Sequence, residues 1–181
     1  MAEKQANKGE PVRLGQLLGR LSHQLHAGRI GAGSLAELRR MTRSDRPPDF
    51  WRLYLQIVPE AWREPGGRQD ARVDDAWAAV IQGMAEMAPD ALAFGRPFGT
   101  ELSRAGYSES RFVRLLRAEN ADLAREFRVA AGWLGSKGVK ANLTPVAELL
   151  LGRPYVGLNV GPEYAARTLA HDFFRAEAAR S

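Results

Sequence analysis

The chain has 181 residues, is 45% hydrophobic and 8% aromatic, holds no cysteine and carries a net charge of +5 at neutral pH, which suits a folded globular protein with one compact core or two small lobes. Disulfides, cysteine nucleophiles and thiolate metal sites are thereby excluded, and no apolar run approaches the roughly 18–20 residues that cross a bilayer. The charge favours a polyanionic partner and lies in two blocks: residues 1–58 hold ten Lys+Arg against five Asp+Glu, and residues 101–140 hold eight against five. Arginine outnumbers lysine by 22 to 4. Its planar fork suits phosphate, although a GC-rich genome produces the same bias. The polar N-terminal stretch "MAEKQANKGEP" lacks the apolar core of a signal peptide, so the cytoplasm is the expected compartment and no membrane is expected as a partner.

In chain order, Leu14, Leu17, Leu18, Leu21 and Leu25 recur at helical spacing and predict an amphipathic helix stopped by Gly28. "SLAELRRM" opens on Ser34 with Glu37 three residues on, the pattern of a capping box. Leu35, Leu38 and Met41 share one side of it, and Arg39, Arg40 and Arg43 the other. Pro47 and Pro48 end that segment, Asp49 is the expected cap of the helix "FWRLYLQIV", and Pro59 terminates it. After the loop "PEAWREPGGRQ", residues 70–88 read as a helix with Val73, Trp77, Val80, Ile81 and Met84 inward.

"FGRPFGT" (94–100) breaks the helical pattern and marks a lobe boundary. Beyond it come helices at 108–118 and 121–135, the latter ended by the Gly135 to Gly138 region. A short helix at 145–151, with Thr144 as cap and Pro145 at its first position, and a last one at about 162–178 follow. Only "YVGLNV" has a weak strand character. The expected fold is all-α, a two-lobed helical bundle with an N-terminal lobe at 11–93 and a C-terminal lobe at 101–178.

Catalytic signatures are missing: the chain has no GxxxxGK[ST], GxSxG or HExxH motif, and His23, His26 and His171 lack metal-ligand spacing. No catalytic residue, metal or cofactor is expected. The cluster Asp70, Asp74 and Asp75 is what a helix dipole attracts to a first turn. Trp51, Trp77 and Trp133 sit at helical spacing with other apolar residues and are expected in the core; Trp62, in a Pro/Gly loop, is undetermined by pattern.

The basic faces remain. In "SESRFVRLLRA", Arg111, Arg114 and Arg117 fall in an arc of about 120° opposite Phe112, Val113, Leu115 and Leu116. Together with Arg39, Arg40, Arg43 and the pair Lys137 and Lys140 in "LGSKGVK", they form a candidate cationic track that holds phosphates without reading bases. With five or six phosphates engaged, single-strand binding would fall with salt at a log–log slope near −4, at about 0.7 per phosphate.

The blocks "GSLAELRRM", "FWRLY", "FGTELSRAGYSESRFVRLLRAEN", "WLGSKGVKANLTPVAELL" and "AARTLAHDFF", across about residues 33–175, resemble the small subunit of the type I-E CRISPR surveillance complex Cascade, the CasB family. The resemblance implies a helical, non-catalytic protein that pairs with a second copy along the inner side of the complex. Its neighbours there are the guide-RNA-bearing backbone subunits and the large subunit, and it contacts the displaced single-stranded DNA of the R-loop. By the same resemblance Arg111, Arg114 and Arg117 lie on the family's arginine-rich helix, Arg39 and Arg40 in its first lobe, and Lys137 and Lys140 in a basic turn. Thr168 and Leu169 stand where the family commonly has a tryptophan. Two other readings stay open: a helical adaptor whose basic faces meet acidic proteins, and a helix-turn-helix regulator, although the basic helices lack the Asn and Gln that read base edges.

Overall fold

The structure is a computed structural model and describes residues 12–26, 29–64, 70–152 and 161–180. Ten helices and a two-stranded parallel sheet occur among them: α1 (Leu14–Leu25), α2 (Ala32–Arg40), α3 (Pro48–Ile57), α4 (Glu60–Arg63), α5 (Ala71–Met87), β1 (Leu92–Pro97), α6 (Phe98–Arg104), α7 (Glu109–Arg117), α8 (Asn120–Ser136), β2 (Ala141–Asn142), α9 (Thr144–Leu151) and α10 (Pro162–Ala178). The fold is a mostly-α bundle, as the periodicity predicts.

Helix α1 buries all five of its leucines, none more than 1% exposed, and packs on α3 and α5. Helix α5 is the centre. It turns Trp77, Val80, Ile81 and Met84 inward and lies along α8, while α10 lies across α6 and α9. The α5–α8 approach is close enough that a Cβ on Gly135 would stand 2.1 Å from the Glu86 carbonyl oxygen, so any side chain there would push the two backbones apart. The rings of Phe112 and Phe173 stack at 3.9 Å and tie α7 to α10. One hydrophobic cluster runs from Leu14 to Phe173 and draws on both sides of residues 94–100.

Several local expectations are corrected. Helix α2 begins two residues before Ser34, with Gly31 as its N-cap, so the Ser34–Glu37 capping box does not form. Ser34 instead hydrogen-bonds Asp49, and this, with Arg52, holds the Asp49 carboxyl below the usual carboxylate range against a smaller effect of burial. Asp49 therefore sits inside the first turn of α3, whose N-cap is Pro47. Helix α9 takes Leu143 as N-cap, and the Asn142 side-chain oxygen accepts from the Thr144 N–H at 3.0 Å, because the short Asn side chain folds back over its own chain.

Residues 92–97 form a strand, which pairs Leu92 with Ala141 and Pro97 with Asn142. Neither partner shows alternation, since the pairing is set by position. Within "PEAWREPGGRQ" a single turn, α4, forms. Gly28 and "YVGLNV" lie outside the described residues. Trp51 is 39% exposed rather than in the core: "FWRLYLQI" is apolar nearly all round, and the buried face is Phe50, Leu53, Tyr54 and Ile57.

Candidate nucleic-acid interface

Two helix ends build the basic surface. Helix α6 closes at Gly106, in the left-handed region at φ 76°, with the Tyr107 N–H bonded to the Leu102 carbonyl and the Gly106 N–H to that of Ser103, both at 2.9 Å. Helix α8 closes the same way at Gly138, φ 63°, with Val139 bonded to Leu134 and Gly138 to Gly135, both at 3.0 Å. This paired termination needs a residue free of the Cβ penalty at the left-handed position. The first turn fixes Ala105 and Tyr107; the second fixes Lys137.

Between them stands Trp133 of α8, half-buried. Its Nε1–H donates to the Ala105 carbonyl at 3.0 Å, and the Tyr107 ring meets it edge-on at 6.1 Å. The Tyr107 hydroxyl is buried with no hydrogen-bond partner among the described residues. Burial pushes it above its ordinary pKa and the Glu126 charge adds to this, while Arg111 and Arg114 oppose. Over the Trp133 ring lie two cations, the Arg111 guanidinium carbon at 5.8 Å from the centroid and Lys137 Nζ at 4.9 Å.

On α7 the predicted amphipathy holds: Phe112 and Leu115 are fully buried, and Arg111, Arg114 and Arg117 are exposed. Arg114 is nevertheless engaged, its Nε donating to Glu126 at 2.9 Å; the arginine side chain is 58% exposed and the carboxylate 5%. Lys140 pairs with Asp90 at 3.1 Å. Arg111, Arg117 and Lys137 have no carboxylate partner among the described residues.

The N-terminal face is used differently. Arg39 Nε donates to the Ala85 carbonyl at 2.8 Å, beside the Ala88 N–H that the same oxygen accepts at 3.3 Å, and Nη2 donates to the Ala88 carbonyl at 3.4 Å, which ties α2 to the carbonyl end of α5. Gln82 of α5 returns the service, donating to the carbonyls of Arg39 and Met41, each at 2.9 Å. Arg43 pairs with Asp75 at 2.8 Å, a carboxylate that Arg46 also engages. Arg40 alone of the three has neither an ion pair nor a side-chain hydrogen bond among the described residues, and it lines a shallow pocket with Glu37, Met41, Asp45, Pro47 and Pro48. The aspartates that open α5 are thus occupied: Asp70 caps the helix, Asp74 accepts from the Tyr54 hydroxyl at 2.6 Å, and Asp75 holds arginines. No group of metal-ligating side chains occurs among the described residues, and no helix there is long and apolar enough to cross a membrane.

Of eight predicted contacts, the structure ties Arg43, Arg114 and Lys140 to carboxylates and Arg39 to backbone carbonyls, and leaves Arg40, Arg111, Arg117 and Lys137 with neither among the described residues. Trp133, expected in the core, packs half-buried against it and also carries two of the exposed cations over its ring. The signal for it in the sequence was its spacing of four from Lys137, the residue that caps the same helix.

Residues 34–174 match the sequence model of the family described as CRISPR-associated protein Cse2. The chain belongs to the Cse2 family. Cse2 is the small subunit of type I-E Cascade, a structural subunit family, and the chain is accordingly a CRISPR Cascade subunit. The Cse2 match takes in both arginine faces, Trp133 and Lys137, and leaves α1 outside it. No curated protein and no solved structure matches the chain.

Proposed function

We propose that this Cse2-family subunit binds the displaced single strand of the R-loop without reading its sequence, using the C-terminal basic surface, and so stabilises opened target DNA. The observation that carries this reading is the unpaired set Arg111, Arg117 and Lys137, exposed on α7 and the end of α8. Like charges gathered without a counter-charge are unfavourable unless an anion lies across them. Exchanging a DNA duplex for a guide–target hybrid is nearly balanced, so a few backbone contacts are enough to tip it. The reading places the subunit beside a second copy, with the backbone and large subunits as neighbours.

Three free cations in place of five or six lower the expected salt dependence, to a log–log slope of about −2 at about 0.7 per phosphate. The test is the triple variant R111E/R117E/K137E, measured for oligothymidylate binding at low salt and for target-DNA opening by the assembled complex. Both fall at least tenfold while the melting temperature holds. Unchanged affinity overturns the proposal, and a nuclease-insensitive acidic protein lost from the complex in the same variant assigns the surface to protein docking.

A further inference from the structure

Arg111 and Lys137 come from different helices and converge on one ring. A cation over an indole face is drawn to its negative quadrupole, and the two distances hold the charges within about 11 Å of one another whichever face each uses. The indole has little freedom to turn, because Nε1–H is spent on the Ala105 carbonyl and Tyr107 blocks an edge. Both anchors are themselves fixed by the glycine-closed end of α6. Arg114, one turn along α7 from Arg111, is tied to Glu126, so the pair on the ring is set apart by having no carboxylate.

The ring's surroundings also say what it does not do. With two cations at 5.8 and 4.9 Å from its centroid and its polar edge bonded inward, the indole is already engaged by charge and framework contacts. We propose that Trp133 is a positioning residue, holding Arg111 and Lys137 as a preformed clip for phosphate on a nucleic-acid strand, and that it does not stack on bases. This rests on the strand-binding reading above. Pre-positioning removes part of the side-chain entropy that two long, flexible cations would otherwise lose on binding.

The test compares a 20-nucleotide oligothymidylate with an abasic deoxyribose-phosphate strand of equal length, each against the wild-type chain and the variants W133F, W133L and R111Q/K137Q. Wild type binds both strands within about twofold, since backbone contacts carry no base information. W133F keeps a ring and stays within about threefold of wild type. W133L loses about five- to thirtyfold, with a salt slope shallower by up to about 1.4, at about 0.7 for each of two cations. Adding W133L to R111Q/K137Q costs nothing further, because one unit has already been removed.

An abasic strand bound more than tenfold more weakly by wild type but no more weakly than oligothymidylate by W133L assigns Trp133 to base stacking and overturns the clip; a base preference that W133L keeps belongs to another exposed aromatic, and the losses in W133L and R111Q/K137Q then decide the clip. Loss of binding in R111Q/K137Q with none in folded W133L overturns the clip and leaves the strand-binding reading standing. No loss in R111Q/K137Q removes the clip, and R111E/R117E/K137E then decides the broader reading separately.

Discussion

Helix α2 with the turn after it and helix α7 each carry three arginines and use them in opposite ways. On α2, Arg39 reaches the carbonyl end of α5 and Arg40 points outward; Arg43, expected on the same helix, lies beyond its end at Arg40 and pairs with Asp75. On α7, Arg114 is tethered, while Arg111 rests on an aromatic ring and Arg117 meets solvent. The difference lies in what each helix packs against. Helix α2 lies on α5, whose ends expose carbonyls at one terminus and aspartates at the other; α7 lies on α8, which offers Glu126 and then Trp133. A cationic stripe is therefore a structural strut or a binding face according to its neighbour's termini.

The widest separation between the two faces is expected for Arg39. R39A removes two charge-assisted hydrogen bonds from the end of α5, although the Ala85 carbonyl keeps the Ala88 N–H, and lowers stability by about 1–3 kcal/mol, read by denaturant unfolding, yet leaves oligothymidylate binding by the folded chain within about twofold. R43A, at an exposed pair, costs about 0–1 kcal/mol. Strand binding that collapses in folded R39A would erase the contrast between the helices.

A smaller effect sharpens it from the other side. E126Q removes the negative charge that tethers Arg114, at a cost of about 1–2 kcal/mol. It steepens the salt slope of strand binding by about 0.7, one more phosphate's worth. A slope that does not change would mean that Arg114 never joins the binding face.

The smallest effect concerns a buried carboxylate that has no cation beside it. Glu101 and Glu126 each hold two arginines, whereas Glu148 of α9 is buried and its pKa is raised by that burial alone. Its folded pKa lies above the unfolded one, so its contribution favours the fold below the unfolded pKa and is lost as pH rises through the folded value. E148Q should raise the melting temperature at pH 7, by about 2–4 °C for each kcal/mol recovered, and flatten the gain that wild type shows on acidification toward pH 5. Identical pH profiles for the two would show that Glu148 is solvated in solution.

How much was legible follows from how far each interaction reaches. The leucine row of α1, the inward row of α5 and the amphipathy of α7 were all readable, since residues three and four apart share a face whatever surrounds them. Caps were less so. Ser34 and Thr144 have the right chemistry, but Gly31 and Asn142 took the task, because a helix start can slide by a residue or two at little cost. The strand at 92–97 had no signature because it exists only by pairing with residues 141 and 142.

The sequence alone determined that this chain is helical, that it is basic in two blocks and that its motifs are those of Cse2, because helical periodicity and motif spacing are local properties. Tertiary structure decided which cations are free. The Arg39 acceptor at Ala85 lies 46 residues away and the Arg114 acceptor at Glu126 lies 12 away, and Trp133 reaches Arg111 only because α7 packs on α8. A charge is cancelled by whatever the fold brings within a few ångströms of it, and no spacing along one helix encodes that neighbour.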